Sequence, residues 1–164
     1  MTNVGFYGGS EVRGLGSASD MKAFFACVDL AIEKMPLDAR SVVLTDRLYR
    51  RYLRLDELDV AAELLGAVRN VLAGIAASTL DWRLVGWDPS TTRLDPSSGM
   101  VADVLSRHLK GAVDLISNAR SFEKRFNIYQ PVITVITDTP RFYAESLRSL
   151  ADYDALEGEP MWLR

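Results

Sequence analysis

The sequence is short of the residues from which most small active sites are built. Across 164 residues it has one cysteine, Cys27, and one histidine, His108. A single cysteine excludes an internal disulfide, and inside a helical stretch it reads as a small buried side chain. His108 has no second histidine or cysteine near it in sequence, so no metal-ligand spacing exists. H-E-x-x-H, C-x-x-C and G-x-S-x-G are all missing. A triad assembled from distant segments would have to use this histidine, which lies in VADVLSRHLKG at the edge of an apolar stripe, where packing accounts for it. A basic excess is also lacking: the net charge is −3, which argues against direct nucleic-acid binding. The longest apolar region, 61–77, is interrupted by Glu63, Arg69 and Asn70 and cannot cross a bilayer. The N-terminal MTNVGFYGG has neither the basic segment nor the apolar length of a signal peptide. The expectation is a cytoplasmic protein with no catalytic residue, no cofactor and no metal.

What the chain does have is the composition of a globule, 48% hydrophobic and 25% charged, too apolar for disorder. Its length suits one domain over residues 1–164. Residues 4–8 read as a strand. Ser17, with Asp20 three residues on, reads as the cap of a first helix whose apolar face carries Met21, Phe24, Phe25, Val28, Ile32 and Met35. Pro36 and Asp38 end it. SVVLT (41–45) fits strand or helix, and Thr45–Leu55 favours helix. Asp56 can cap the next helix, with Leu58, Leu65, Val68, Leu72 and Ile75 on its stripe. Leu80–Val85 alternates like a half-exposed strand. Residues 88–99, with two Asp-Pro pairs, form a loop. Val101, Leu105, Leu109, Ala112 and Ile116 mark another helix. VITVIT (132–137) should be a central, covered strand, and Thr139-Pro140 should start a final helix. The expected class is α+β (or α/β), with a small sheet of three or four strands covered by four or five helices.

The stretch VGFYGGSEVRGLGSASDMKAFF resembles a phosphate-binding strand-turn-helix but fails in detail. Gly9 and Gly14 have Walker A separation, yet Leu15 and Gly16 stand where the lysine and Ser/Thr belong. Gly14 and Gly16 begin a dinucleotide pattern, but Ser19 replaces its third glycine. A small-ligand or nucleotide site over Gly8–Ser17, with Arg13 near an anion, is the alternative functional reading.

In TDRLYRRYLRLDELD, Arg47, Arg50, Arg51 and Arg54 recur on one helical face beside Leu48, Tyr52 and Leu55. The face reads as solvated and balanced by Asp56, Glu57 and Asp59; the alternatives are a polyanion site, since basic residues interleaved with aromatics can bind nucleic acid by phosphate contact and stacking, and a contact with an acidic protein partner. Trp82 and Trp87 flank a strand end, and Asp88, Arg93 and Asp95 follow in a loop long enough to reach a partner. Asp152, Asp154, Glu157 and Glu159 give a second acidic patch. Aromatic anchors rimmed by charge meet the needs of a recognition surface, whereas composition alone favours tryptophans in the core and acids that only keep the protein soluble.

Val4, Gly5, Phe6, Tyr7, Gly9 and Ser10, then Gly16, Ser17 and Ala18, then Phe24 and Phe25, together resemble the start of a family of bacterial polymorphic-toxin immunity proteins. The similarity continues through Leu48 and Tyr49, the long helix from Asp56 to Ala73, and a tryptophan-bearing strand at Leu80–Leu84. It covers roughly the first half of the chain and leaves the C-terminal third outside. The resemblance implies a cytoplasmic partner of a delivered toxin's C-terminal domain, commonly a nuclease, of the kind found in contact-dependent growth inhibition. An acidic inhibitor of a nuclease can imitate the phosphate backbone. Trp87, Asp88, Arg93, Asp95, Asp152, Asp154, Glu157 and Glu159 are the residues expected to meet that toxin.

Overall fold

A computed structural model describes residues 3–8, 11–97, 99–126, 134–137, 151, 154–155 and 157–163. The class is α+β. Strands β1 (Asn3–Gly8) and β2 (Glu11–Ser17) pair antiparallel, and β3 (Thr134–Thr137) pairs antiparallel with the other edge of β1. Among the described residues the strand order is β2-β1-β3. Among the described residues the central strand is therefore β1, and Thr134–Thr137, expected from sequence to be central, supplies an outer one. The hairpin occupies one edge of β1, so the later strand takes the edge that remains.

The glycines of the opening stretch serve this hairpin. Val4 faces Gly16 and Gly5 faces Gly14, so Leu15 is the extra residue of a β-bulge. Leu15 lies buried at 3% exposure and meets Gly111. At Gly5 a Cβ atom would lie 2.1 Å from the Arg13 carbonyl oxygen, so no side chain fits there. What reads as a turn in sequence is a strand, because pairing with β1 outweighs the low strand preference of glycine.

Helix α1 (Ala18–Glu33) starts as its sequence predicts: the Ser17 hydroxyl accepts from the Asp20 amide at 3.2 Å. Its buried face includes Met21, Phe24, Phe25, Cys27 and Val28. Helix α2 (Leu58–Leu72) buries Leu58, Ala61, Leu64, Leu65, Val68 and Leu72. Helix α3 (Val101–Val104) breaks at Leu105 and resumes as α4 (Ser106–Phe126). Helix α4 packs on β1, β2 and α2, while α1 packs on β1, β2 and α2. Phe24 of α1 is the meeting point, edge-on to Phe6 of β1 and stacked on His108 of α4.

The middle of the chain departs from its sequence pattern. Residues 41–45 are helical: a 3₁₀ turn at Ala39–Ser41 leads into a π-helical segment at Val43–Leu48. Helical geometry ends at Arg50 and Arg54 is extended, so the arginines do not share one helix face. The change of direction buries both Tyr52 and Leu53 completely. Asp56 does not cap α2; the Glu57 carboxylate instead accepts from the Arg54 amide at 2.9 Å. Leu80–Val85 is a run of turns rather than a strand. There the Trp82 indole N–H bonds to the Ala77 carbonyl at 2.9 Å and Leu84 is left 85% exposed. The helix predicted from Thr139 lies outside the described residues.

Candidate binding surface

The loop carrying Asp88, Arg93 and Asp95 is built on a buried carboxylate. Asp20, in the first turn of α1, is fully buried. It accepts from the Thr92 hydroxyl at 2.5 Å and from the Arg93 amide at 2.9 Å. Thr92 in turn accepts from the Leu94 amide at 2.9 Å. Gly16, at φ +144°, lets the chain pass Asp20; a Cβ there would lie 2.8 Å from its carboxylate oxygen. In sequence Asp20 reads only as part of a helix cap beside Ser17, and nothing local marks it as the anchor of a loop 72 residues away.

Two further carboxylates shape the loop locally. Asp88 accepts from the Ser90 amide at 2.9 Å and its hydroxyl at 2.7 Å. Asp95 accepts from the Ser97 amide at 3.1 Å and its hydroxyl at 2.5 Å. The serine hydroxyl and then the serine amide hold each carboxyl below the usual carboxylate range, so both are ionised at neutral pH. Arg93 and Asp95 are exposed and Asp88 is half-exposed. Trp87 is half-buried and packs against the core, with its indole nitrogen buried and lacking a hydrogen-bond partner among the described residues. The turn through Gly86, at φ +97° over Lys22, brings Trp87 back onto the protein, so part of the ring lies against the fold and part stays accessible beside Asp88.

The second acidic patch is anchored elsewhere. Asp154 accepts from Arg47 at 3.1 Å and from Arg54 at 2.6 Å, and its backbone carbonyl takes a hydrogen bond from Arg51. Burial pushes the Asp154 carboxyl up, but the Arg47 hydrogen bond and the charges of Arg54 and Arg47 outweigh it and hold the group low. Arg47 also pairs with Glu57 at 3.2 Å, part of the acidic balance that the sequence predicts, and Arg50 pairs with Asp46 at 2.6 Å. Arg47, Arg51 and Arg54 hold the C-terminal segment, and Arg47 and Arg54 also lie over the Tyr52 ring. Beyond them, Trp162 packs on Phe25 and Tyr49 and donates to the Tyr49 carbonyl at 2.9 Å. Glu157 and Glu159 are exposed in the intervening segment; Asp152 lies outside the described residues. The structure therefore holds the two acidic stretches at separate places, one on the start of α1 and one on Tyr49 and the arginines.

The phosphate-loop alternative finds little support in this geometry. Residues Glu11–Ser17 form a strand, and Arg13 is shared between Glu11 at 2.7 Å and Asp114 at 3.0 Å. At the start of α1, where an anion would sit, the chain supplies the Asp20 carboxylate itself. His108 is buried against Phe24, and neither ring nitrogen has a hydrogen-bond partner. Burial lowers its pKa to about 4, against the nearby charge of Asp20 and with that of Arg107, so the ring is neutral at pH 7. Burial likewise pushes the Cys27 thiol up to about 12, which leaves it a core side chain and not a nucleophile. No cluster of metal-ligating side chains occurs among the described residues, and no described helix is long and apolar enough to cross a membrane. Comparison with known proteins finds no matching family model, no significantly similar curated protein and no significantly similar solved structure.

Proposed function

We propose that this chain is an immunity protein, a stoichiometric inhibitor that binds the toxic C-terminal domain of a delivered effector in the cytoplasm, the effector being a nuclease. The observation that carries the reading is the Asp88–Asp95 loop. It offers two ionised carboxylates, each fixed by a serine, on a backbone tied to buried Asp20. A loop fixed before encounter loses less freedom on binding, so more of its contact energy remains as affinity. Carboxylates held at set positions can stand in for phosphates in a basic nuclease groove and speed encounter. Such an inhibitor needs nanomolar affinity, about 12 kcal/mol, because each free nuclease molecule keeps turning over.

The test is growth of cells expressing the toxin domain encoded beside this chain, with and without it. Rescue together with co-purification of a stable complex supports the reading. Absence of both rejects it for that pair.

A further inference from the structure

A groove of about 600 Å³ runs between α2 and α4. Its apolar lining includes Ala62, Leu65, Leu109 and Val113, the last 40% exposed. Arg69, in the last turn of α2, and Arg107, in the first turn of α4, line it too. Neither makes an ion pair with a described residue. Asp103 accepts from the Met100 amide at 2.9 Å and keeps its charge, while Asp114 takes Lys110 at 2.7 Å and Arg13 at 3.0 Å. The cations of the lining, Arg69, Arg107 and Lys110, outnumber its acids, Asp103 and Asp114, so the groove is cationic in a chain whose net charge is −3.

Gly66 adds an independent observation. It sits inside α2, where glycine weakens a helix relative to alanine. No described neighbour requires it, since a Cβ there would meet no described residue within 4 Å. A glycine that no described contact requires leaves the groove open where it lines it.

We propose that this groove docks an acidic amphipathic helix of a partner protein. Apolar side chains at i, i+4 and i+7 of that helix cover the groove's apolar lining, and a carboxylate at one end meets Arg69 and Arg107. A guanidinium suits a carboxylate because its fork can hold both oxygens. The inference requires a protein partner but does not depend on that partner being a toxin.

The experiment titrates the full chain into two fluorescein-labelled helical peptides and follows anisotropy. Both carry leucine at i, i+4 and i+7; one is flanked by glutamate and the other by lysine. The glutamate peptide should bind at least about tenfold more tightly. Arg69→Glu combined with Arg107→Glu should reverse the preference, and Gly66→Leu should abolish binding of both, with the thermal midpoint showing each variant folded. Equal binding of the two peptides, no binding of either, or binding indifferent to the arginine reversal would overturn the proposal. Dodecanoate serves as a third probe. Arginine-dependent binding of dodecanoate with neither peptide bound would also overturn it and assign the groove to a small amphipathic anion. Growth rescue is scored separately on the arginine variant, so loss of peptide binding with rescue intact leaves the immunity reading standing.

Discussion

The Thr92 hydroxyl donates to the Asp20 carboxylate at 2.5 Å across 72 residues of chain, joining the 88–97 loop to the start of α1. The Arg93 amide adds a second bond to the same carboxylate. In Asp20→Ala, the Thr92 hydroxyl and the Arg93 amide both lose their acceptor in a largely buried setting. The expected cost is about 2–4 kcal/mol, read by chemical denaturation. Hydrogen exchange at Arg93 should accelerate more than exchange in the middle of α1. Equal acceleration at both would mean that Asp20 stabilises the whole fold and not the loop in particular.

The loop acids can be stripped of charge without losing their turns. Asparagine retains the oxygen that accepts from the serine amide and hydroxyl, so Asp88→Asn and Asp95→Asn should each shift stability by less than about 0.5 kcal/mol. If the loop steers a basic partner, the double variant associates several-fold more slowly at low salt. The gap should close as salt rises, because exposed charges are screened beyond about 10 Å at 0.1 M. Stopped-flow association with the cognate toxin domain reads both. An unchanged association rate would remove these acids from the interface.

Legibility in the sequence followed the range of the interactions. The start of α1 could be read because Ser17 and the Asp20 amide meet within one turn, and its buried face because Met21, Phe24, Phe25 and Val28 repeat at helical spacing. Strand β2 was hidden because Gly14 and Gly16 signal a turn locally, whereas their pairing with Gly5 and Val4 is decided by another segment. The alternation at Leu80–Val85 misled for the opposite reason: bonds such as Trp82 to Ala77 and Leu84 to Asp81 close turns before any strand partner is met. The arginine spacing was visible, but its partner Asp154 lies 107 residues from Arg47 and no local pattern points there. The same holds for the loop acids: Asp20 reads locally as part of a helix cap, and its partners Thr92 and Arg93 lie 72 and 73 residues away.

The C-terminal segment is held at two points, by the arginines on Asp154 and by Trp162. Trp162 is 4% exposed, stacks on Phe25 and bonds to the Tyr49 carbonyl. Trp162→Ala removes that packing and leaves the carbonyl without its donor, at an expected cost of about 3–5 kcal/mol. Asp154→Asn should cost less, since the Asp154 side chain is 35% exposed and water can replace part of what the arginines provide. The order of the two denaturation midpoints is the check. A larger loss in Asp154→Asn would make the arginine cluster the principal tether.

His108 gives the fold a pH dependence of defined sign. Its folded pKa is about 4, below the value of about 6.5 expected in the unfolded chain. Between those values the unfolded state binds a proton that the folded state refuses, so stability falls as pH drops through that window. The loss is complete below about pH 4 and amounts to roughly 3 kcal/mol for this one group. His108→Leu should flatten the difference in stability between pH 7 and pH 5 relative to the parent. Carboxylates that titrate in the same range act on both proteins and cancel in the comparison. A parent and variant with the same pH dependence would mean that His108 accepts its proton without unfolding.

Two glycine-to-alanine changes should move stability in opposite directions. At Gly5 the new methyl would lie 2.1 Å from the Arg13 carbonyl oxygen and 2.8 Å from the Gly14 Cα atom. Both are backbone atoms of the paired strand and cannot rotate away, so β1 and β2 must separate or shift register at the bulge. A loss above about 3 kcal/mol places Gly5→Ala among the severe substitutions. At Gly66 the methyl enters open space on a helix. The unfolded chain loses freedom and the helix gains a better former, so Gly66→Ala should stabilise by about 0.5–1 kcal/mol. Paired urea denaturation curves read both changes. If Gly66→Ala destabilised the free protein, the glycine would be serving the chain's own packing. The claim that it keeps the α2–α4 groove open for an occupant would then lose its basis.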